Sequence, residues 1–106
     1  MLKRQPYRNR KITESARGQS CTLNFKGCTN DTETVVLCHS PFEEDGSGTA
    51  QKSDDIFGAY GCAHCHDLLD CRKYVDGGIM TVDRRDIFHR AMKKTIRKLI
   101  ERGIIA

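Results

Sequence analysis

Apolar residues recur at helical spacing over only one long stretch of this chain. Wound at 3.6 residues per turn, Ile87, Phe88, Ala91, Met92, Ile96, Leu99 and Ile100 fall along one face, with Thr95 among them. The spacing predicts an amphipathic helix that turns this stripe to a core, capped by Asp83 or Asp86 and closed by Gly103. Its opposite face carries Arg90, Lys93, Lys94, Arg97 and Lys98.

Upstream the pattern changes period. Thr32 to Cys38 reads Thr-Glu-Thr-Val-Val-Leu-Cys, β-branched and apolar, and predicts a strand that delivers His39 at its end. Ser40 to Asp55 is rich in Gly, Ser and acids and predicts a surface loop. Ile56 to Tyr60 predicts a second short strand. From Cys65 or His66 a helix is expected to run to about Tyr74, where Asp76-Gly77-Gly78 breaks it. Two strands and a following helix make a ββα unit. Ahead of it, Thr13 to Gly18 reads as a short helical turn. Residues 1–11 show little periodicity and read as a basic, flexible arm, leaving residues 12–106 as one α+β domain.

Such a domain has little to build a core from. Its 106 residues include no Trp, four Phe and three Tyr, so a staple is expected. Six cysteines offer one. The N-terminal residues Met1 to Pro6 lack the apolar run of a signal peptide, and no stretch is apolar enough to cross a membrane. The expected setting is the reducing cytoplasm, where cysteines at these spacings read as metal ligands before disulfides.

Cys21 and Cys28 flank a knuckle in which Gly27 lets the backbone fold back, and Cys62 and Cys65 form a tighter pair. Together they give four soft sulfur ligands, the set preferred by structural Zn²⁺. Cys38 and Cys71 are left as spare thiols or alternative ligands. The second pair opens Cys62-Ala63-His64-Cys65-His66-Asp67-Leu68-Leu69-Asp70, where His66 and Asp70 are four apart and share a helix face. An imidazole and a carboxylate there can hold a second cation, Mg²⁺, Mn²⁺ or Zn²⁺, with most of its positions open.

Charge is arranged in blocks around these residues. Residues 1–17 carry net +5, residues 18–83 net −7 and residues 84–106 net +6, for a total of +4. Basic ends flank an acidic, ligand-rich middle. Either the ends are simply a solvated surface or they grip a polyanion presented to the middle. Arg8, Arg10, Lys11, Arg17, Lys52, Arg90, Lys93, Lys94 and Arg97 are the candidate phosphate contacts, and DNA is the expected partner.

The strand ending in His39, the Cys62/Cys65 knuckle and the His66-xxx-Asp70 pair together resemble an HNH nuclease, the ββα-metal fold with a treble-clef-like structural zinc. More narrowly the chain resembles the small phage- and prophage-encoded nucleases of the YbcO type. The resemblance rests on Ala16-Arg17-Gly18, Cys21, Cys28, Val36-Leu37-Cys38-His39, the run from Gly48 to Asp55, and the run from Cys62 to Asp70, and it covers about residues 14–80. It implies a metal-dependent endonuclease that hydrolyses DNA phosphodiester bonds, in the cytoplasm of a bacterial host. His39 would be the general base, Asp55 the polar residue that orients the site, and His66 and Asp70 the ligands of the catalytic cation. Two positions depart from the family pattern. Cys38 stands where an Asp or His ligand precedes the base, and Asp70 stands where a second His is usual.

Two other readings compete. One is a zinc-stapled nucleic-acid-binding or recombination accessory module without activity, which binds in a salt-sensitive way and does not nick. The other is thiol redox chemistry at Cys62 to Cys65. The redox reading wants a βαβ pattern that is absent from this sequence, and its thiols are already claimed by the zinc.

Overall fold

The computed structural model describes residues 5–48, 52–70 and 81–105. Its helices are α1 (Arg10–Ser15), α2 (Ala63–Leu69) and α3 (Thr81–Glu101), and its strands are β1 (Val36–His39) and β2 (Gly58–Gly61). The result is a small α+β domain. No described helix is long and apolar enough to cross a membrane.

β1 and β2 pair antiparallel, with Val36 opposite Gly61, Leu37 opposite Tyr60, Cys38 opposite Ala59 and His39 opposite Gly58. Beyond the strand end, the Ser40 N–H bonds the Phe57 carbonyl at 2.9 Å, which fixes the backbone that follows His39. The predicted strand over Thr32–Cys38 is shorter than its composition suggests. Thr32–Thr34 is instead a 3-10 turn, because the Asp31 carboxylate accepts the Glu33 N–H at 3.1 Å and caps it. The turn then has a use: the Thr34 hydroxyl accepts the Ala63 N–H at 3.0 Å and caps α2, where Cys62 offers no side-chain cap. α2 therefore starts before the predicted Cys65 or His66. The second strand is likewise displaced, from Ile56–Tyr60 to Gly58–Gly61.

Two helices cover the hairpin. α3 buries Phe88, Ala91, Thr95 and Leu99, a stripe at helical spacing, whereas Ile100 from the predicted stripe is 41% exposed. Asp83 and Asp86 lie inside α3, which is described from Thr81 onward, and not at its cap. Its end is closed by a Schellman motif: Gly103 has φ 72°, its N–H bonds the Ile100 carbonyl at 3.0 Å, and the Ile104 N–H bonds the Leu99 carbonyl at 2.9 Å. Thr95, fully buried, spends its hydroxyl on Thr22 Oγ1 at 2.9 Å and on the Tyr60 N–H at 3.3 Å, so the helix is pinned to β2 by a polar contact inside the core. α1 packs Ile12 and Ala16 inward, and its Ser15 hydroxyl meets the buried Tyr60 hydroxyl at 2.8 Å. The expected helix continuation to Tyr74, the break at Asp76–Gly78 and Cys71 lie outside the described residues.

The boundary predicted between residues 11 and 12 falls inside α1. Residues 7–9, predicted as part of a flexible arm, hydrogen-bond to residues 52–55. The Tyr7 N–H reaches Asp54 Oδ1 at 3.1 Å, and the Asp55 N–H returns to the Tyr7 carbonyl at 2.9 Å.

At Gly61 the strands leave no room for a side chain. A Cβ there would stand 2.7 Å from Cys38 Sγ and 2.7 Å from Leu23 Cδ1. Gly61→Ala is expected to cost about 1–3 kcal/mol in urea unfolding, and measurably less in a Cys38→Ala background. An equal cost in both backgrounds would show that the Cys38 thiol does not set this spacing.

Candidate active site and metal centre

Two turns from distant parts of the chain bring sulfur to one point. Asn24, Gly27 and Asn30 all take positive φ, 49°, 83° and 48°, and curl residues 21–30 back on themselves. A Cβ on Gly27 would sit 2.9 Å from His64 Nε2, so only glycine lets this loop lie against α2. The sulfurs of Cys21, Cys28, Cys62 and Cys65 lie within 4.8 Å of one another, with Cys28 and Cys62 at 3.8 Å. Four thiolates bound tetrahedrally at about 2.3 Å from an ion stand about 3.8 Å apart, so the cluster fits Zn²⁺. Backbone N–H groups already face the sulfurs, from Asn24 to Cys21 at 3.5 Å and from Asn30 to Cys28 at 3.3 Å, as thiolates require. The described cysteines form no disulfide.

The four thiols share protons unequally. A hydrogen bond from the Cys65 thiol brings Cys21 down to about 4, with help from backbone N–H groups and against the cost of burial. Cys65, which donates that bond, is pushed well above the ordinary thiol range by it, by burial and by the charge on Cys21. Cys28 is raised by burial, while Cys62 is lowered because donors, the Cys65 N–H foremost, outweigh its burial.

Cys38 does not join this cluster. It is fully buried under β1, its sulfur within 4.0 Å of the Gly61 carbonyl, and it turns toward neither the four thiols nor the cavity beside His39. Of the two readings its place in the sequence allowed, spare thiol or alternative ligand, its place in the core fits the spare thiol.

That cavity, about 410 Å³, is lined by His39, Ser40, Lys52, His66 and Asp70, with Thr13, Val36, Leu37, Pro41 and Ser47. β1 brings His39 to it and α2 brings His66 and Asp70. His66 Nε2 and Asp70 Oδ2 stand 3.2 Å apart, one helical turn from each other. On the other side of the His39 ring, Nε2 meets Asp55 Oδ1 at 2.8 Å. Asp55 is 3% exposed, and its two oxygens are both engaged, Oδ1 also by Arg8 Nη1 at 3.2 Å and Oδ2 by the Asn9 N–H at 2.6 Å. Burial alone would raise its pKa, but the hydrogen bonds from His39 and Asn9 and the charges of His39 and Arg8 outweigh this and hold it below the usual carboxylate value.

The family model described as "Putative nuclease YbcO" matches residues 10–104. The chain belongs to the YbcO family. Among solved structures it is similar to a "putative bacteriophage protein" from Escherichia coli str. K-12 substr. MG1655, with a TM-score of 0.68, 24% identity, and coverage of 86% of this chain and 98% of that one. At that identity the likeness speaks for the fold. No curated protein matches.

The candidate residues of this YbcO family member are thus distributed over three places. Cys21, Cys28, Cys62 and Cys65 meet, and His39, His66, Asp70 and Lys52 line one cavity with Asp55 behind the imidazole. The remaining bases are spread. Arg10, Lys11 and Arg17 are exposed on and after α1, and Arg90, Lys93, Lys94 and Arg97 are exposed on α3. Arg10 pairs with Glu14 at 2.7 Å and Arg97 with Glu101 at 3.4 Å. Arg8 is the exception, engaged with Asp55 and with the Ser53 carbonyl at 2.6 Å. No sequence signal announced this clamp, because 47 positions separate Arg8 from Asp55.

Zinc affinity is expected to rise steeply with pH, because Cys28 and Cys65 at least, both raised, lose protons on binding. Two or more released protons mean about 100-fold or more per pH unit. Competition with a chromophoric chelator at pH 6.5 and 7.5 measures it, and a pH-independent affinity would show that these sulfurs do not bind as thiolates.

Proposed function

We propose that this protein is a metal-dependent endonuclease of the HNH type that hydrolyses DNA phosphodiester bonds. The observation that carries the reading is one cavity lined by His39, His66, Asp70 and Lys52, with the His39 ring held from behind by a buried carboxylate. The β1, β2, α2 order is consistent with a ββα-metal unit.

Asp55 is an acceptor only, so His39 Nε2 carries the proton between them and Nδ1 is left with the lone pair. Nδ1 is the base: it takes a proton from the water whose oxygen attacks phosphorus. Asp55 then steadies the imidazolium that forms. Lys52, exposed at the cavity wall, offers charge to the non-bridging phosphate oxygens.

His66 Nε2 and Asp70 Oδ2 fit a divalent cation, since the two donor atoms lie one turn apart, partly exposed on the wall of the cavity. Such a cation, when bound, stabilises charge on the phosphate and on the departing oxygen. Nitrogen and oxygen donors suit Mg²⁺, Mn²⁺ or Zn²⁺.

Exposed bases position the duplex. Arg10, Lys11, Arg17, Arg90, Lys93, Lys94 and Arg97 contact phosphates without reading sequence, and the surface pairs of Arg10 and Arg97 are weak enough to exchange for phosphate. A non-cleaving nucleic-acid-binding module is the second reading. It is favoured by the burial of Cys38, which leaves the cation only two described protein ligands at this cavity.

Supercoiled plasmid with Mg²⁺, Mn²⁺ or Zn²⁺ separates the two. Wild-type protein is expected to nick, and His39→Ala to lose about 100-fold or more while keeping its zinc and its fold. Binding without nicking under all three metals would favour the second reading.

A further inference from the structure

The sequence places Arg8 among the phosphate contacts, yet its guanidinium is turned inward. Nη1 donates to the Ser53 carbonyl at 2.6 Å and to Asp55 Oδ1 at 3.2 Å, and Nη2 donates to the Lys52 carbonyl at 3.1 Å. Three acceptors from four consecutive residues are thus gripped by one planar fork, which a lysine cannot reproduce. Its neighbours follow the same line. The Asn9 N–H reaches Asp55 Oδ2 at 2.6 Å, the Tyr7 N–H donates to Asp54 Oδ1, and the Tyr7 carbonyl accepts the Asp55 N–H.

We infer that Arg8 is a positioning residue for His39, acting through Asp55, and that residues 7–9 complete the active site instead of lying on DNA. The inference rests on the proposed role of His39. Asp55 has two oxygens and three partners, and only one of them, His39, faces the cavity. Without Arg8 and the Asn9 N–H, the carboxylate can rotate about its Cα–Cβ and Cβ–Cγ bonds and leave the imidazole. With them, its direction is fixed, so the tautomer of the ring is fixed too. Lys52 gains as well: its carbonyl is held by Arg8 while its side chain lines the cavity.

The full-length, zinc-loaded protein tests this with nuclear magnetic resonance of the histidine side chains in wild type, Arg8→Ala, Arg8→Lys and Asp55→Asn. The charged and titratable groups near the His39 ring are Asp55 and, through it, Arg8, with Lys52, His66 and Asp70 around the same cavity. Wild type is expected to show His39 as the Nε2–H tautomer. In Arg8→Ala the Asp55 carboxylate is free to turn away from the ring, and the preference for the Nε2–H tautomer should weaken. Arg8→Lys keeps the charge but not the planar fork, should also lose part of the tautomer preference, and serves if the alanine variant does not fold. An unchanged His39 in a folded Arg8→Ala or Arg8→Lys protein, with only melting temperature affected, would overturn the inference.

Kinetics on plasmid supply a second arm. A positioning role lowers kcat about 10-fold or more with KM little changed. A phosphate contact raises KM with kcat kept and reduces the salt slope by about one, and that outcome also overturns the inference. If wild type does not cleave at all, the nuclease reading fails while the resonance experiment still decides the role of Arg8.

Discussion

Four sulfur atoms meeting within 4.8 Å is the constraint on which the rest of this structure depends. The core is thin: its largest fully buried side chains are Tyr60, Phe25, Phe88, Ile12, Leu69 and Leu99. A domain of this size commands roughly 5–15 kcal/mol in total, whereas a structural zinc contributes about 10–16 kcal/mol of apparent binding energy at neutral pH. With a zinc bound, the cluster would therefore match the net stability of the whole domain. Crowding of the four sulfurs also divides their protons unequally: Cys21 and Cys62 are lowered while Cys28 and Cys65 are raised.

The cluster does more than hold. β2 ends at Gly61, Cys62 is the N-cap of α2 and Cys65 sits in the first turn, so fixing these sulfurs fixes the direction of α2. His66 follows at once and Asp70 one turn later. β1 is locked to β2 in register, with His39 opposite Gly58. One knot of sulfur thus sets the imidazole after the strand against the imidazole and carboxylate on the helix. A one-residue slip of β1 would turn His39 to the other face, and Cys38, which belongs in the core, would replace it.

Much of this was legible in the sequence for identifiable reasons. Ligand spacing is local information, and the two cysteine pairs needed only one assumption, that soft ligands converge. The stripe of α3 is periodic over four turns and was equally plain. What failed to show was determined by side chains reaching across the chain. Asp31 converted the start of the expected strand into a turn, and Thr34 then capped α2 from a distance. Whether Cys38 was a spare thiol or an alternative ligand was left open by the sequence, and the strand decides it, because adjacent residues of a strand face opposite ways. Arg8 looked like one more arm base, since charge composition records sign and not direction.

A histidine and an aspartate at hydrogen-bond distance do not by themselves make a site, and this molecule contains its own control. His89 Nε2 meets Asp45 Oδ2 at 2.8 Å, the same distance as His39 from Asp55. There the second partner is the Ser40 hydroxyl at 2.6 Å, and Phe42 is flanked by Phe88, His89 and the guanidinium groups of Arg84 and Arg85. That pair ties the 3-10 turn at Glu43–Asp45 to α3, and neither residue lines the cavity beside His39. The difference lies in what surrounds each imidazole. His39 has a fixed anion behind it and a cavity in front that also holds the His66–Asp70 pair and Lys52, so under the proposed function a proton accepted there would have both a source and a counter-charge. His89 meets a carboxylate but lies outside that cavity. That asymmetry is why the proposal assigns chemistry to the first pair and architecture to the second, although the two have the same composition and the same length.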